Sequence, residues 1–109
     1  MIRDIPESDW KLFRLLRVSA LEKFCERTLG EVLQLSSAAN KSFHERYLDV
    51  YRRIDDRDKE LADAFNDPRR SQMVVQLRRM QELGLIEDNE LARFSPETQE
   101  LLRYFRARR

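Results

Sequence analysis

Glycine, proline, cysteine and histidine are scarce in this 109-residue chain, numbering two, three, one and one. Few glycines and prolines leave few places to turn, and few turns in a chain of this size mean long elements. A β-sandwich or barrel, which needs punctuation every ten residues or so, is excluded on that count. A single cysteine, Cys25, permits no intrachain disulfide and excludes a stapled secreted scaffold. One cysteine and one histidine fall short of a structural zinc site. No Glu-x-x-His pair occurs, so the helical di-metal arrangement is missing as well. Gly30 and Gly84 stand alone, which removes both nucleotide-binding loops and a Gly-Gly-Gln tip. Met1-Ile2-Arg3-Asp4 leads into no apolar leader, and no run of about 18 apolar residues offers a membrane span. A reducing, cytoplasmic location is the expectation.

What is present is charge on a regular apolar frame. The chain is 41% apolar and 38% charged, well above the usual quarter for charge. The formal net charge is only +1, so no global field selects a polyanion or a membrane. Residues 1–67 hold 12 basic and 14 acidic side chains, and residues 68–109 hold 9 and 6. The excess of positive charge in the C-terminal third is a weak pointer.

Apolar spacing predicts five helices in one domain. The first spans 6–36, with Ser8 as a candidate N-cap beside Pro6 and with Trp10, Phe13, Leu16, Leu21, Phe24, Thr28, Val32 and Leu35 at helical intervals. It is roughly 43 Å long. Leu12, Leu15, Leu29 and Leu33 widen its stripe beyond what one neighbour can cover. The second spans 42–66, opened by Ser42 and Glu45 at capping-box spacing and carrying Phe43, Tyr47, Val50, Tyr51, Ile54, Leu61, Ala64 and Phe65. The third spans 68–83 from Pro68, with Met73, Val74, Leu77 and Met80 inward and Gly84 as its left-handed stop. A short fourth helix covers 88–93, and the fifth covers 96–107 behind Ser95-Pro96-Glu97. The expected fold is all-α, a long antiparallel helical hairpin with the three shorter C-terminal helices closing it as a bundle. Folding about residue 39 pairs Leu35 with Phe43, Phe24 with Ile54 and Phe13 with Phe65. It also sets Gly30 beside Tyr47 and Tyr51.

Reactive groups are thinly spread. His44 lacks a nucleophile on its own side of the helix, since Ser42 is two residues away, and reads as solvated. Cys25, beside Phe24, reads as a small buried hydrophobe. The charged run Asp55–Glu60 reads mainly as a wet helix face, and an Arg17–Asp58 pair across the hairpin is the sharper alternative. No catalytic, cofactor-binding or metal-ligating set is predicted.

The stretch Leu83-Gly84-Leu85-Ile86 through Glu90-Leu91-Ala92-Arg93-Phe94-Ser95-Pro96-Glu97-Thr98 resembles the tail of short, uncharacterised, all-helical bacterial proteins. The opening Asp9-Trp10-Lys11-Leu12-Phe13 fits the same resemblance. It implies a bacterial cytoplasmic origin and no activity.

The function expected from the residues is that of a non-enzymatic helical interaction or regulatory module. Its partner is another protein or a second copy in a homodimer. The candidate interface is Trp10, Leu12, Phe13 and Leu16, with tryptophan the residue type most enriched at interface hot spots. The alternative is association with nucleic acid through Arg69, Arg70, Arg78, Arg79, Arg106, Arg108 and Arg109. An acidic helix start at Glu87-Asp88-Asn89-Glu90, where a winged-helix protein has its wing, argues against it.

Overall fold

The computed structural model describes residues 5–107, with side chains as far as residue 105. Five α-helices follow in order: α1 Glu7–Ser36, α2 Phe43–Phe65, α3 Met73–Glu82, α4 Asp88–Leu91 and α5 Pro96–Ala107, with no strand among the described residues. The fold is all-α. Its long axis is 54 Å against 23 and 22 Å across.

Local chemistry sets most of the boundaries. The Ser42 hydroxyl accepts from the Glu45 N–H at 3.1 Å, and the Glu45 carboxylate accepts from the Ser42 N–H at 2.9 Å. This reciprocal cap satisfies two orphan donors at the start of α2. At the end of α3, Gly84 takes φ +72°. Its N–H donates to the Gln81 carbonyl, and the Leu85 N–H donates to that of Met80. Leu85 and Met80 are both buried, as the Schellman motif requires.

Three expected boundaries move, the smallest being α4, which ends at Leu91 rather than at residue 93. Ser8 is inside α1, because Pro6 is the residue before the first turn and offers no side-chain cap. Pro68 does not open α3: Asp67 takes φ +52°, Arg69 is extended, and a single 3-10 turn at Arg70–Gln72 precedes Met73. Proline bars Asp67 from the helical region, and the extended Arg69 carries the later start. It shortens α3 from the expected sixteen residues to ten.

The core lies at one end of the molecule. Phe13, Leu16, Ala20 and Phe24 from α1 meet Ala64 and Phe65 from α2 and Met73, Val74, Leu77 and Met80 from α3. Leu85, Ile86, Leu91, Phe94 and Leu102 close it. Phe24 meets the Phe65 ring edge-on at 6.1 Å, a favourable aromatic geometry. Asp9, buried under α5, accepts from the Ser95 N–H, the Ser95 hydroxyl and the Thr98 hydroxyl, and so ties the first helix to the last.

The hairpin forms, but its register differs from the simple fold about residue 39. Phe24 meets Phe65 rather than Ile54, and Glu31 meets Arg57. The physical reason is that every side chain leans toward the N-terminus of its own helix. In an antiparallel pair the two leans point opposite ways, so meeting residues lie further along both helices than backbone level predicts. Where only one side chain reaches across to a backbone carbonyl, the offset is smaller: Arg17 donates to Phe65 O and Arg46 to Ser36 O. Arg17 therefore serves the end of α2 rather than Asp58. Gly30 has nothing within 4 Å of where a Cβ would stand, so no tyrosine crosses over it.

Candidate functional site

Between Phe24 on α1 and Ala64 on α2, the described residues include none that is buried. The hairpin over residues 25–63 is therefore an arm projecting from the core, tied to the rest of the fold only near its base, at Arg27, Leu61 and Asp63. At its free end, Lys41 bonds Asp49 at 2.7 Å, and Arg46 donates to the Lys41 carbonyl while lying over the Phe43 ring. The Lys41 hydrogen bond holds the Asp49 carboxyl below its ordinary value.

At the root of the arm, the Arg57 guanidinium bonds both Glu31 oxygens, at 2.9 and 3.0 Å, and also bonds Glu60. Arg53 adds a second cation at 3.4 Å from Glu31. The Arg57 hydrogen bond lowers the Glu31 pKa, outweighing the opposite push of desolvation, while Glu31 and Glu60 raise that of Arg57. A bidentate guanidinium–carboxylate pair carries geometric information that a single contact lacks. This clamp fixes the alignment of the two helices, the role expected of Arg17 and Asp58. Asp55 and Lys59, by contrast, form an exposed i,i+4 pair at 3.5 Å, the wet face expected of that run.

One face of α2 carries the arm's apolar residues. Phe43, Tyr47, Tyr51, Ile54, Leu61 and Phe65 recur at helical spacing on that face. Exposure climbs along it, from 1% at Phe65 to 46% at Ile54, 62% at Tyr51, 68% at Tyr47 and 83% at Phe43. α3 approaches the other flank of α2, since Asp63 is nine residues, hence half a turn around the helix, from Ile54. Arg79 of α3 pairs with Asp63 at 3.0 Å, and Gln76 donates to the Asn66 carbonyl, so α3 runs antiparallel to α2. Extending that register sets Glu82, the last residue of α3, level with Glu60. Arg27 then receives the turn, donating to the carbonyls of Leu83 and Gly84 at 3.0 and 2.9 Å. Phe43, Tyr47, Tyr51 and Ile54 stand on the flank that α3 leaves uncovered.

A second concavity lies near the base. Trp10, Lys11, Arg14, Leu15, Arg17, Val18 and Pro68 line a shallow groove of about 730 Å³. The expected interface divides here. Phe13 and Leu16 are in the core, whereas Trp10 and Leu12 are half-buried and Leu15 is exposed. Trp10 stacks on Phe13 and lies under Arg70. Phe13 and Leu16 are therefore corrected from interface to core, because α3 and its neighbours cover that side of α1.

The arginines of the C-terminal third are largely engaged with acids. Arg69 bonds Asp67, Arg70 bonds Glu7, Arg78 pairs with Glu82 at 3.7 Å, and Arg79 pairs with Asp63 and Glu82. Arg103 is exposed on α5. The Arg106 side chain, Arg108 and Arg109 lie outside the described residues. Cys25 is half-buried rather than buried, and His44 is exposed in the first turn of α2.

Sequence reasoning named every aromatic of the α2 stripe but placed it inside the hairpin. No helix among the described residues is long and apolar enough to cross a membrane, and no cluster of three or more potential metal ligands occurs among them. Comparison with protein-family models, with curated proteins and with solved structures finds no match to this chain.

Proposed function

We propose that this chain is a non-enzymatic interaction module of the reducing cytoplasm, with the hairpin arm as its docking element. One observation carries the reading: an arm of two helices, containing no buried residue among those described, exposes Phe43, Tyr47, Tyr51 and Ile54 in a row. Monomers rarely leave a contiguous apolar patch larger than a few hundred Å² in water. At these exposures the row presents about 500 Å², the upper part of the range for the largest patch on a monomer, which is often functional. Tyrosine suits such a surface, since it brings large contact area with a polar tip and little rotamer entropy to lose. The clamp at Glu31 and Arg57 holds the row in place.

The test uses a photo-cross-linking side chain placed at Tyr47 or Tyr51 in the living cell, with Arg52 and Lys59 as off-stripe controls. The expected result is a discrete adduct from the two stripe positions and none from the controls. Equal labelling from all four positions, or none from any, would remove the docking role.

A further inference from the structure

We infer that the exposed α2 stripe is covered by a second copy of this chain, laid antiparallel so that the two α2 stripes meet across a two-fold axis near residues 48 and 49. The inference rests on the docking role proposed for the arm. Two independent features single out this occupant.

The first is residue order. Reversing the stripe about its centre sets Phe43 against the partner's Ile54, and Tyr47 against the partner's Val50 and Tyr51. A large ring at one end is matched by a smaller aliphatic at the other, so each copy supplies what its partner needs. Exposed apolar residues also line the opposite side of α1, namely Leu15, Val18, Leu29 and Leu33. Reversing that row about its own centre places Glu22 against Glu26, a like-charge contact. The α2 stripe has no charge at its centre.

The second is area and charge. Four apolar side chains exposed to between 46% and 83% present about 500 Å² per copy, hence about 1,000 Å² for the pair. That meets the size of a weak, reversible interface. Along one flank, His44 of each copy meets Asp55 of the other. On the other flank Arg46 and Arg53 are turned to α1, held by the Lys41 carbonyl and by Glu31.

Light scattering on the full chain across a concentration series tests the inference. The native chain is expected at twice the monomer mass. Tyr47→Lys/Tyr51→Lys is expected to weaken self-association at least tenfold with an unchanged far-ultraviolet spectrum, since both side chains are exposed. Leu29→Lys/Leu33→Lys, on the opposite face, should leave the dimer intact. His44→Asp should weaken it, and His44→Asp/Asp55→Lys should restore it, because only the antiparallel register brings these positions together. A monomer throughout the series overturns the inference. So does a dimer that survives Tyr47→Lys/Tyr51→Lys and is lost in Leu29→Lys/Leu33→Lys. If the chain is monomeric yet the cross-linker at Tyr47 captures a different protein, the second copy is refuted while the docking arm stands.

Discussion

Asp9 and Ser95 stand 86 residues apart in sequence, yet the carboxylate of one caps the helix begun by the other, at 3.0 Å to the Ser95 N–H and 2.6 Å to its hydroxyl. The Thr98 hydroxyl completes the set at 2.6 Å. A carboxylate with three donors at a helix N-terminus is favoured by the exposed N–H groups and by the helix dipole. Asp9→Ala leaves the buried Thr98 hydroxyl and the part-buried Ser95 donors without their acceptor, and is expected to cost about 2–3 kcal/mol. Asp9→Asn keeps one acceptor oxygen and should cost less. Urea denaturation measures both, and equal midpoints for Asp9→Ala and the native chain would discard this account.

The clamp at the arm's root predicts a pH dependence. The Arg57 hydrogen bond lowers the Glu31 pKa from 4.5, so its contribution is present above the unfolded value and is lost as the pH falls through the lower folded value. Glu31→Gln is therefore expected to reduce stability at neutral pH by about 0.5–1 kcal/mol, the upper range for a partly exposed pair. The difference from the native chain should shrink as the pH falls below 4.5. Stability curves that stay parallel down to about pH 2 would mean the pair contributes no linkage.

The two glycines should respond in opposite directions. Gly84 holds φ +72°, where a side chain is strained, so Gly84→Ala is expected to lose about 1 kcal/mol. Gly30 is helical with nothing within 4 Å of its Cβ position, so Gly30→Ala should gain about 0.5–1 kcal/mol. Thermal melts of both variants decide the matter. A loss at Gly30 would mean that something approaches the helix there.

Duplex DNA should bind poorly. With Arg69, Arg70 and Arg79 held by Asp67, Glu7 and Asp63, each pair must open before a phosphate can be met. Fluorescence anisotropy at about 150 mM salt is expected to show a Kd weaker than about 10⁻⁴ M. Micromolar affinity falling steeply with added salt would restore the nucleic-acid reading.

Much of the fold was legible because its cues are local. Ser42 with Glu45, Gly84 after the apolar run of α3, and Ser95-Pro96-Glu97 each act within one helical turn, and all three are helix ends in the structure. Asp67 and Pro68 were legible as a break, although α3 begins five residues after Pro68, at Met73. The pairing of the hairpin was less so. Its midpoint follows from the loop, but which side chains meet depends on their lean along each helix, which a count of positions leaves out.

The candidate site was readable only in its parts. Phe43, Tyr47, Tyr51 and Ile54 have the same spacing as Leu61 and Phe65, and spacing cannot say which half of a stripe is covered. That depends on which flank of α2 the third helix takes, and the Arg79–Asp63 pair puts it on the side away from Ile54. Asp9 carried no local signal at all, since its partners belong to the last helix.

The sequence by itself determined that this protein is helical, how many helices it has, and where most of them begin and end. Those outcomes depend on backbone groups satisfied within a few residues and on apolar periodicity along one helix. Only the tertiary structure decided that Phe13 and Leu16 are core while Tyr47 and Tyr51 face water. Burial is a property of what lies across from a side chain, and three helices of unequal length cannot cover one another evenly.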